Sequence, residues 1–409
     1  MMKRQSKIIY KVNWKDFVTP KHLRETPIHN WLVFPQSFSF KLVEELIKDW
    51  NLDPNDRICD PFCGAGTTLL GAKMLNIQAD GYDISPYSIF ASNVKCAQYE
   101  FTKLISTWRI IEKGISTERR RFISKSYPEL VLKALSPEIL STVENIDKSL
   151  TDSIQDSCIR DFFRLALFAI LPKFSRAKAT GGWLKWVETI GSEGELHECY
   201  GQQVKKMLSD LNSTTLPAIE NKAHKGDARA LSIADGKYSA IITSPPYPNR
   251  HDYTRVFGIE LMYGFLNWEE TREVRYQSLH SHPEAKPIRP SYVDYIQPRQ
   301  LTLILQKLEK KCTPRVLYML EGYFIDLYCS IREMNRICAK GAKMAIVLGN
   351  AQYSGVPIPV DRLAVEIAQQ LGLECRKIIV ARMRGNSAQQ MKSFGRNPSR
   401  ESVVILEKK

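Results

Sequence analysis

Two stretches concentrate the residue types that can do chemistry. Asp60-Pro61-Phe62-Cys63-Gly64-Ala65-Gly66-Thr67-Thr68 lies between a short apolar strand, Arg57-Ile58-Cys59, and a helix from Leu69 to Leu75. Thr243-Ser244-Pro245-Pro246-Tyr247-Pro248-Asn249-Arg250 follows the apolar run Ala240-Ile241-Ile242. In the first stretch, glycines let the backbone approach a ligand closely at the carboxyl end of a strand. The loop lacks the third glycine of G-x-G-x-x-G and the lysine of a phosphate loop. An anion beside Asp60 would be repelled, so the loop suits a ligand with a positive end, such as the sulfonium or amino group of S-adenosylmethionine. Asp83, at the end of the next strand, is placed to accept hydrogen bonds from ribose hydroxyls. Asp227, in Gly-Asp-Ala, is placed to reach an adenine amino group. Taken singly, either aspartate reads equally well as a helix cap; in register with Asp60 and the glycines, both read as parts of one site. In the second stretch, adjacent prolines end sheet pairing and fix a bend that carries a serine and an aromatic ring.

The elements that must hold these loops follow an α/β rhythm. Phe40, Leu42, Val43, Leu46, Ile47 and Trp50 recur at helical spacing. Strand, glycine loop, helix and a second strand at 78–82 then mark a parallel α/β unit, with a further helix at 86–98. Residues 96–222 break the rhythm with helix-like stretches, such as Phe162–Leu171 and Tyr200–Leu211, and no strand alternation. The pattern resumes at Gly226, with strand 238–243, a helix near 253–266, a loop-rich surface segment at 280–300, and a helix from Tyr323 to Cys338 capped by Gly341. Strand 343–348, a helix from Asp361 to Leu371 ending on Gly372, and strands 377–381 and 402–406 complete the chain. This divides it into an N-terminal arm (1–30) and cofactor half (1–95), a helical insertion (96–222) and a half carrying the SPPY turn and a C-terminal hairpin (223–409). The fold class is a doubly wound mixed sheet.

Composition bounds the partners. The 409 residues carry a formal net charge of +14, an excess that favours a polyanion, most commonly nucleic acid. Nine scattered cysteines form no C-x-x-C pair and read as mostly buried small apolar side chains in a reducing compartment. His280 and His282 read as surface residues rather than metal ligands, and no metal is expected. No run approaches the roughly 18 apolar residues of a membrane span, and the N-terminus lacks a signal-peptide core. A cytoplasmic location is expected.

The pair DPFCGAGTT and SPPY resembles the amino-group DNA methyltransferases, which modify the exocyclic amine of cytosine or adenine. Asp60 to Thr68 matches the family's S-adenosylmethionine loop, D-P-F-x-G-x-G-T-T, throughout. Ser244-Pro245-Pro246-Tyr247 fits its catalytic S/D/N-P-P-Y/F tetrapeptide. Asn30–Phe40 resembles the segment that helps to enclose the methionine. The resemblance covers about 28–95, 224–265 and the last 70 residues. It implies a methyltransferase fold, with Asp60, Pro61, Phe62, Gly64, Gly66, Thr67, Thr68, Asp83 and Asp227 around the cofactor. It also implies that the Ser244 side chain and the Pro245 carbonyl accept the two protons of the target amine, that Pro246 stiffens the bend, and that Tyr247 stacks on a base swung out of the duplex. No Pro-Cys nucleophile of the cytosine C5 enzymes is present.

Serine in the first position favours cytosine N4 over adenine N6 and RNA substrates; a non-catalytic nucleic-acid-binding module is the rival from another class. The resemblance further implies double-stranded DNA as substrate and a partner restriction endonuclease. The insertion and the segment 266–320 are the two candidate locations for target recognition. From Arg376 to Arg400 there is no carboxylate, and Arg382, Arg384, Lys392, Arg396 and Arg400 suit phosphate contacts. Arg250 and Tyr253, just after the bend, suit the base pocket or the phosphate path.

Overall fold

Alternation along apolar strands decides the architecture. The computed structural model describes residues 7–117, 125–181, 183–188, 190–292, 294–385, 393, 395 and 398–409. Its strands are β1 (Ile8–Tyr10), β2 (Arg57–Asp60), β3 (Gln78–Asp83), β4 (Ala177–Thr180), β5 (Trp183–Trp186), β6 (Lys222–Lys225), β7 (Tyr238–Thr243), β8 (Cys338–Gly349), β9 (Ala351–Tyr353), β10 (Val356–Ile358), β11 (Glu374–Arg384) and β12 (Ser399–Glu407). Eight form one sheet in the order β1-β11-β12-β8-β7-β2-β3-β6. All pairs are parallel except those of β12, which runs antiparallel to both neighbours.

Successive side chains of a strand point to opposite faces, so a sheet buried on both sides needs continuous apolar runs. In β7, Ala240 and Ile242 enter one core while Tyr238 and Ile241 enter another. In β12, Val403 and Ile405 join the first, Val404 and Leu406 the second. The first core is covered by α1 (Phe40–Trp50), α2 (Thr67–Met74) and α3 (Pro86–Cys96), and by the insertion helices α4 (Phe101–Thr117), α5 (Glu129–Ala134), α6 (Pro137–Ser153), α7 (Ser157–Ile170) and α8 (Glu193–Ser213). The short helices α9 (Tyr253–Val256) and α10 (Gly258–Gly264) border it, followed by α11 (Trp268–Gln277). The second core lies under α12 (Arg299–Glu309), α13 (Pro314–Ile337) and α14 (Val360–Gln370). The doubly wound mixed sheet is therefore the observed fold.

The helical insertion shares the first core with the sheet: Trp31, ahead of α1, meets Phe162 of α7 edge-on at 5.4 Å.

Several expectations are corrected. The N-terminal segment is no free arm: β1 adds to the sheet edge beside β11, and Trp14, Val18, Leu23 and Ile28 are buried. Their spacing follows neither a helical nor a strand period, which hid them among lysines and arginines. Gly341 does not cap a helix. The helix stops at Ile337 and β8 starts at once; Gly341, at φ +81°, lies where the β7–β8 register slips between Tyr238 and Ala240, a glycine-tolerant bulge. The expected helix at 253–266 is two helices joined at Phe257. The segment 280–300 is not wholly on the surface, since His280, Ser281, His282 and Ala285 are buried. The insertion also contains a β4–β5 hairpin that its sequence did not announce.

Gly81 in β3 faces the glycine loop at close range. An added Cβ would lie 2.7 Å from Cys63 Cβ and 2.8 Å from Leu69 Cδ1. Gly81→Ala is expected to destabilise the fold by about 1–3 kcal/mol through overpacking, read as a lower urea midpoint with an unchanged slope.

Candidate active site

Strand register brings the two chemical loops together. Ile58 and Cys59 of β2 pair with Ala240 and Ile241 of β7, so both loops leave adjacent strands at their carboxyl ends. In chain order the sheet grows from β2 to β3 on one side and later to β7 on the other. Such a switch point is where open α/β sheets bind ligands.

Asp60 joins the two loops. Its carboxylate is 1% exposed and accepts from Thr68 Oγ1 at 2.7 Å, from Thr243 Oγ1 at 2.6 Å and from the Phe62 amide at 3.1 Å. Thr68 belongs to the glycine loop's helix, and Thr243 directly precedes Ser244. Burial, opposed by the two threonine hydroxyls and the Phe62 amide, leaves the Asp60 carboxyl raised to about 6. Asp60, Gly66 and Thr68 thus stand behind the cleft, which Pro61, Phe62, Gly64, Thr67 and Asp83 line.

The glycines are required by shape. Gly64 and Gly66 have φ of +48° and +80°, and a Cβ on Gly66 would fall 2.8 Å from Ser92 Oγ. Ser92 donates to the Gly64 carbonyl at 2.7 Å. Asp83 accepts from the Gly64 amide at 3.0 Å and from the Ser85 amide at 2.8 Å. Burial raises Asp83 to about 6 against these backbone donors. Each carboxylate oxygen keeps lone-pair capacity for a ligand. Phe34 and Phe38 line the same cleft, and Phe34 stacks on Phe257 at 4.1 Å. A concave wall with two aromatic rings, close-approaching glycine backbone and buried carboxylates fits the uncharged rings and cationic end of S-adenosylmethionine.

Asp227 also reaches the cleft. It is paired with Arg229, whose guanidinium donates to both its oxygens and to Asp326 at 3.3 Å. Arg229 and Asp326 are fully buried, and Asp326 also holds Arg289 and His280 at 2.8 Å. Sequence reasoning missed this hub; its members lie as far apart as 227 and 326. His280 and His282 are interior, hydrogen-bonded to Asp326 and Ser278, and no group of three or more possible metal ligands occurs among the described residues.

Ser244 and Pro246 stand on the cleft wall, with Pro245 buried between them. Ser244 Oγ lies 3.4 Å from the Val347 carbonyl and 3.5 Å from the Tyr247 hydroxyl. Both contacts are long for a hydroxyl. Among the described residues, no donor reaches the Pro245 carbonyl. Tyr247 packs on Gly349, where a Cβ would meet its ring at 2.6 Å, and donates to Glu401 at 3.1 Å. Tyr247 is not part of the cleft lining. Glu401 is the carboxylate that ends the acid-free run, and that position was the available signal for it.

The basic candidates divide. Glu401 holds Arg382 at 2.5 Å and Arg384 at 3.8 Å, and the buried Asp361 holds Arg400 at 3.0 Å. Arg250, at φ +68°, is exposed and lies over the Tyr353 ring at 4.9 Å. Tyr253 lines the cleft. Lys392 and Arg396 lie outside the described residues.

The family model N6_N4_Mtase, described as DNA methylase, matches residues 3–93. The type II methyltransferase M.BsoBI of Geobacillus stearothermophilus is 30% identical over 438 residues, covering 93% of this chain and 86% of the relative. M.AvaI of Anabaena variabilis is 28% identical, covering 94% and 87%. Among solved structures, geranyl diphosphate C-methyltransferase from Streptomyces coelicolor A3(2) superposes with a TM-score of 0.34 at 7% identity, over 100% of this chain and 90% of that one. With most of its length matched to type II enzymes, the chain belongs to the amino-group DNA methyltransferases, which act on DNA with S-adenosylmethionine as methyl donor.

Proposed function

We propose that this enzyme methylates the N4 amine of cytosine within a short duplex sequence, as the modification partner of a restriction endonuclease. The observation that carries the reading is the hydroxyl of Ser244 on the cleft wall, tied through Thr243 and Asp60 to the glycine loop. Bound S-adenosylmethionine supplies an electrophilic methyl group on its sulfonium. Pro61, Phe62, Gly64, Thr67, Asp83 and Asp227 would hold it at the wall, with Asp60, Gly66 and Thr68 shaping the loop from behind.

The chain's own work is to prepare the nucleophile. A cytosine amine is weakly nucleophilic because its lone pair is delocalised into the ring. Acceptors on both N–H groups favour a tetrahedral nitrogen and free that lone pair. The Ser244 oxygen and the unpaired Pro245 carbonyl supply them, and two prolines keep them aimed at developing charge. Glu401 holds the Tyr247 ring beside the bend, the ring assigned to stack on an extruded base. The insertion 96–222 and the segment 266–320 are the two candidate readers of the target.

Plasmid methylated in cells should yield 4-methylcytosine by nucleoside mass spectrometry; 6-methyladenine, or no modified base, overturns the assignment. Ser244→Ala should lower kcat by about 10²–10³-fold, the cost of one acceptor aimed at the transition state, with the cofactor Kd unchanged by calorimetry. Asp83 must be ionised to serve as a pure acceptor. Its raised value of about 6 places the change just below neutrality, so affinity for S-adenosylmethionine should fall as pH drops through 6. Asp83→Ala should weaken that affinity by roughly 10–100-fold at pH 8 and flatten the pH profile.

A further inference from the structure

The β4–β5 hairpin and its flank carry cations that no carboxylate neutralises among the described residues. Between Asp161 and Glu188 the sequence has no carboxylate but includes Lys173, Arg176, Lys178 and Lys185. In the ladder Lys178 stands directly opposite Lys185, and like charges facing across two strands are destabilising unless something compensates them. Lys178 turns its ammonium to the Pro172 and Lys173 carbonyls at 2.7 and 2.8 Å. Arg176 and Lys185 are exposed, and neither makes an ion pair among the described residues. This contrasts with the C-terminal strands, where Arg376, Arg382, Arg384 and Arg400 are each held by a carboxylate.

Position supplies the second observation. The hairpin is a separate two-stranded sheet, marginal alone, and is anchored through Arg176 N–H to the Ala134 carbonyl at 2.7 Å and by Leu184 against the first core. Its tip meets the segment after the SPPY bend: a Cβ at Gly181 would lie 4.0 Å from His251 Cε1. His251 and Tyr253 rings are 6.2 Å apart, and Tyr253 lines the cleft. Trp186, at the base of the ribbon, is 49% exposed.

We infer that the β4–β5 ribbon is a DNA contact, with Arg176 and Lys185 on backbone phosphates of the duplex next to the target base. A two-stranded ribbon is narrow enough to enter the major groove, and exposed cations that no carboxylate neutralises among the described residues complement the polyanion. The inference rests on the DNA-modifying reading above and narrows the contact to one hairpin of the insertion.

The test measures anisotropy of a labelled mixed-sequence duplex across a salt series, with the full-length protein. Wild type should show log affinity falling steeply and linearly with log salt. Arg176→Gln/Lys185→Gln should reduce that slope by about two, roughly one per lost phosphate contact, while cofactor affinity by calorimetry stays unchanged. Arg176→Lys/Lys185→Arg should restore the wild-type slope. Arg376→Gln, which removes an already paired cation, should leave it intact. An unchanged slope in the glutamine double variant overturns the ribbon contact, and so does parallel loss of cofactor binding, which would make the hairpin structural. Absence of salt-dependent DNA binding in the wild type would instead sink the DNA reading itself.

Discussion

The site depends on one buried carboxylate. Asp60 takes hydrogen bonds from a threonine of each loop, Thr68 after the glycines and Thr243 ahead of the bend. Adjacent parallel strands bring the two loops near one another, but strands fix spacing only along the ladder. Beyond the last sheet hydrogen bond, the Asp60 bridge replaces the ladder. Because the group is withdrawn from water, losing the Thr68 hydroxyl would leave Asp60 Oδ2 without its donor at a cost, while Oδ1 would keep the Phe62 amide. The bridge therefore constrains both loops relative to one another.

The same economy governs the aspartates nearby. Asp83 holds the Gly64 amide while its remaining lone pairs face the cleft. Asp227 stands at the cleft paired with Arg229, and Arg229 in turn rests on the interior Asp326. An isolated buried charge would be expensive; the chain pairs it or surrounds it with donors. Carboxylates at this wall thus bind protein and leave part of their capacity for a ligand.

Net positive charge is a poor guide to where a polyanion sits. Much of the basic C-terminal run is consumed within the fold: Arg400 clamps β12 to α14 through Asp361, and Arg382 and Arg384 surround Glu401. Their role in the sheet is to position strands and, through Glu401, the Tyr247 ring. Cations left without a carboxylate carry more information, because their charge has not been neutralised within the fold.

Local sequence determined much of the framework. Continuous apolar runs required a sheet buried on both faces, helical spacing from Phe40 to Trp50 marked α1, and two loops of distinctive composition marked the candidate site. These features depend on neighbours within one element, where periodicity and backbone restriction act. Tertiary structure alone decided which partners those residues take. The inward turn of Asp60, the link from Arg229 to Asp326 about a hundred positions later, the closure of Tyr247 on Glu401, and the burial of Trp14, Val18 and Ile28 all join residues distant in the chain. The physical reason is that side-chain charge and hydroxyl groups are satisfied across space by whichever donor packing brings within reach, and no local pattern records that choice.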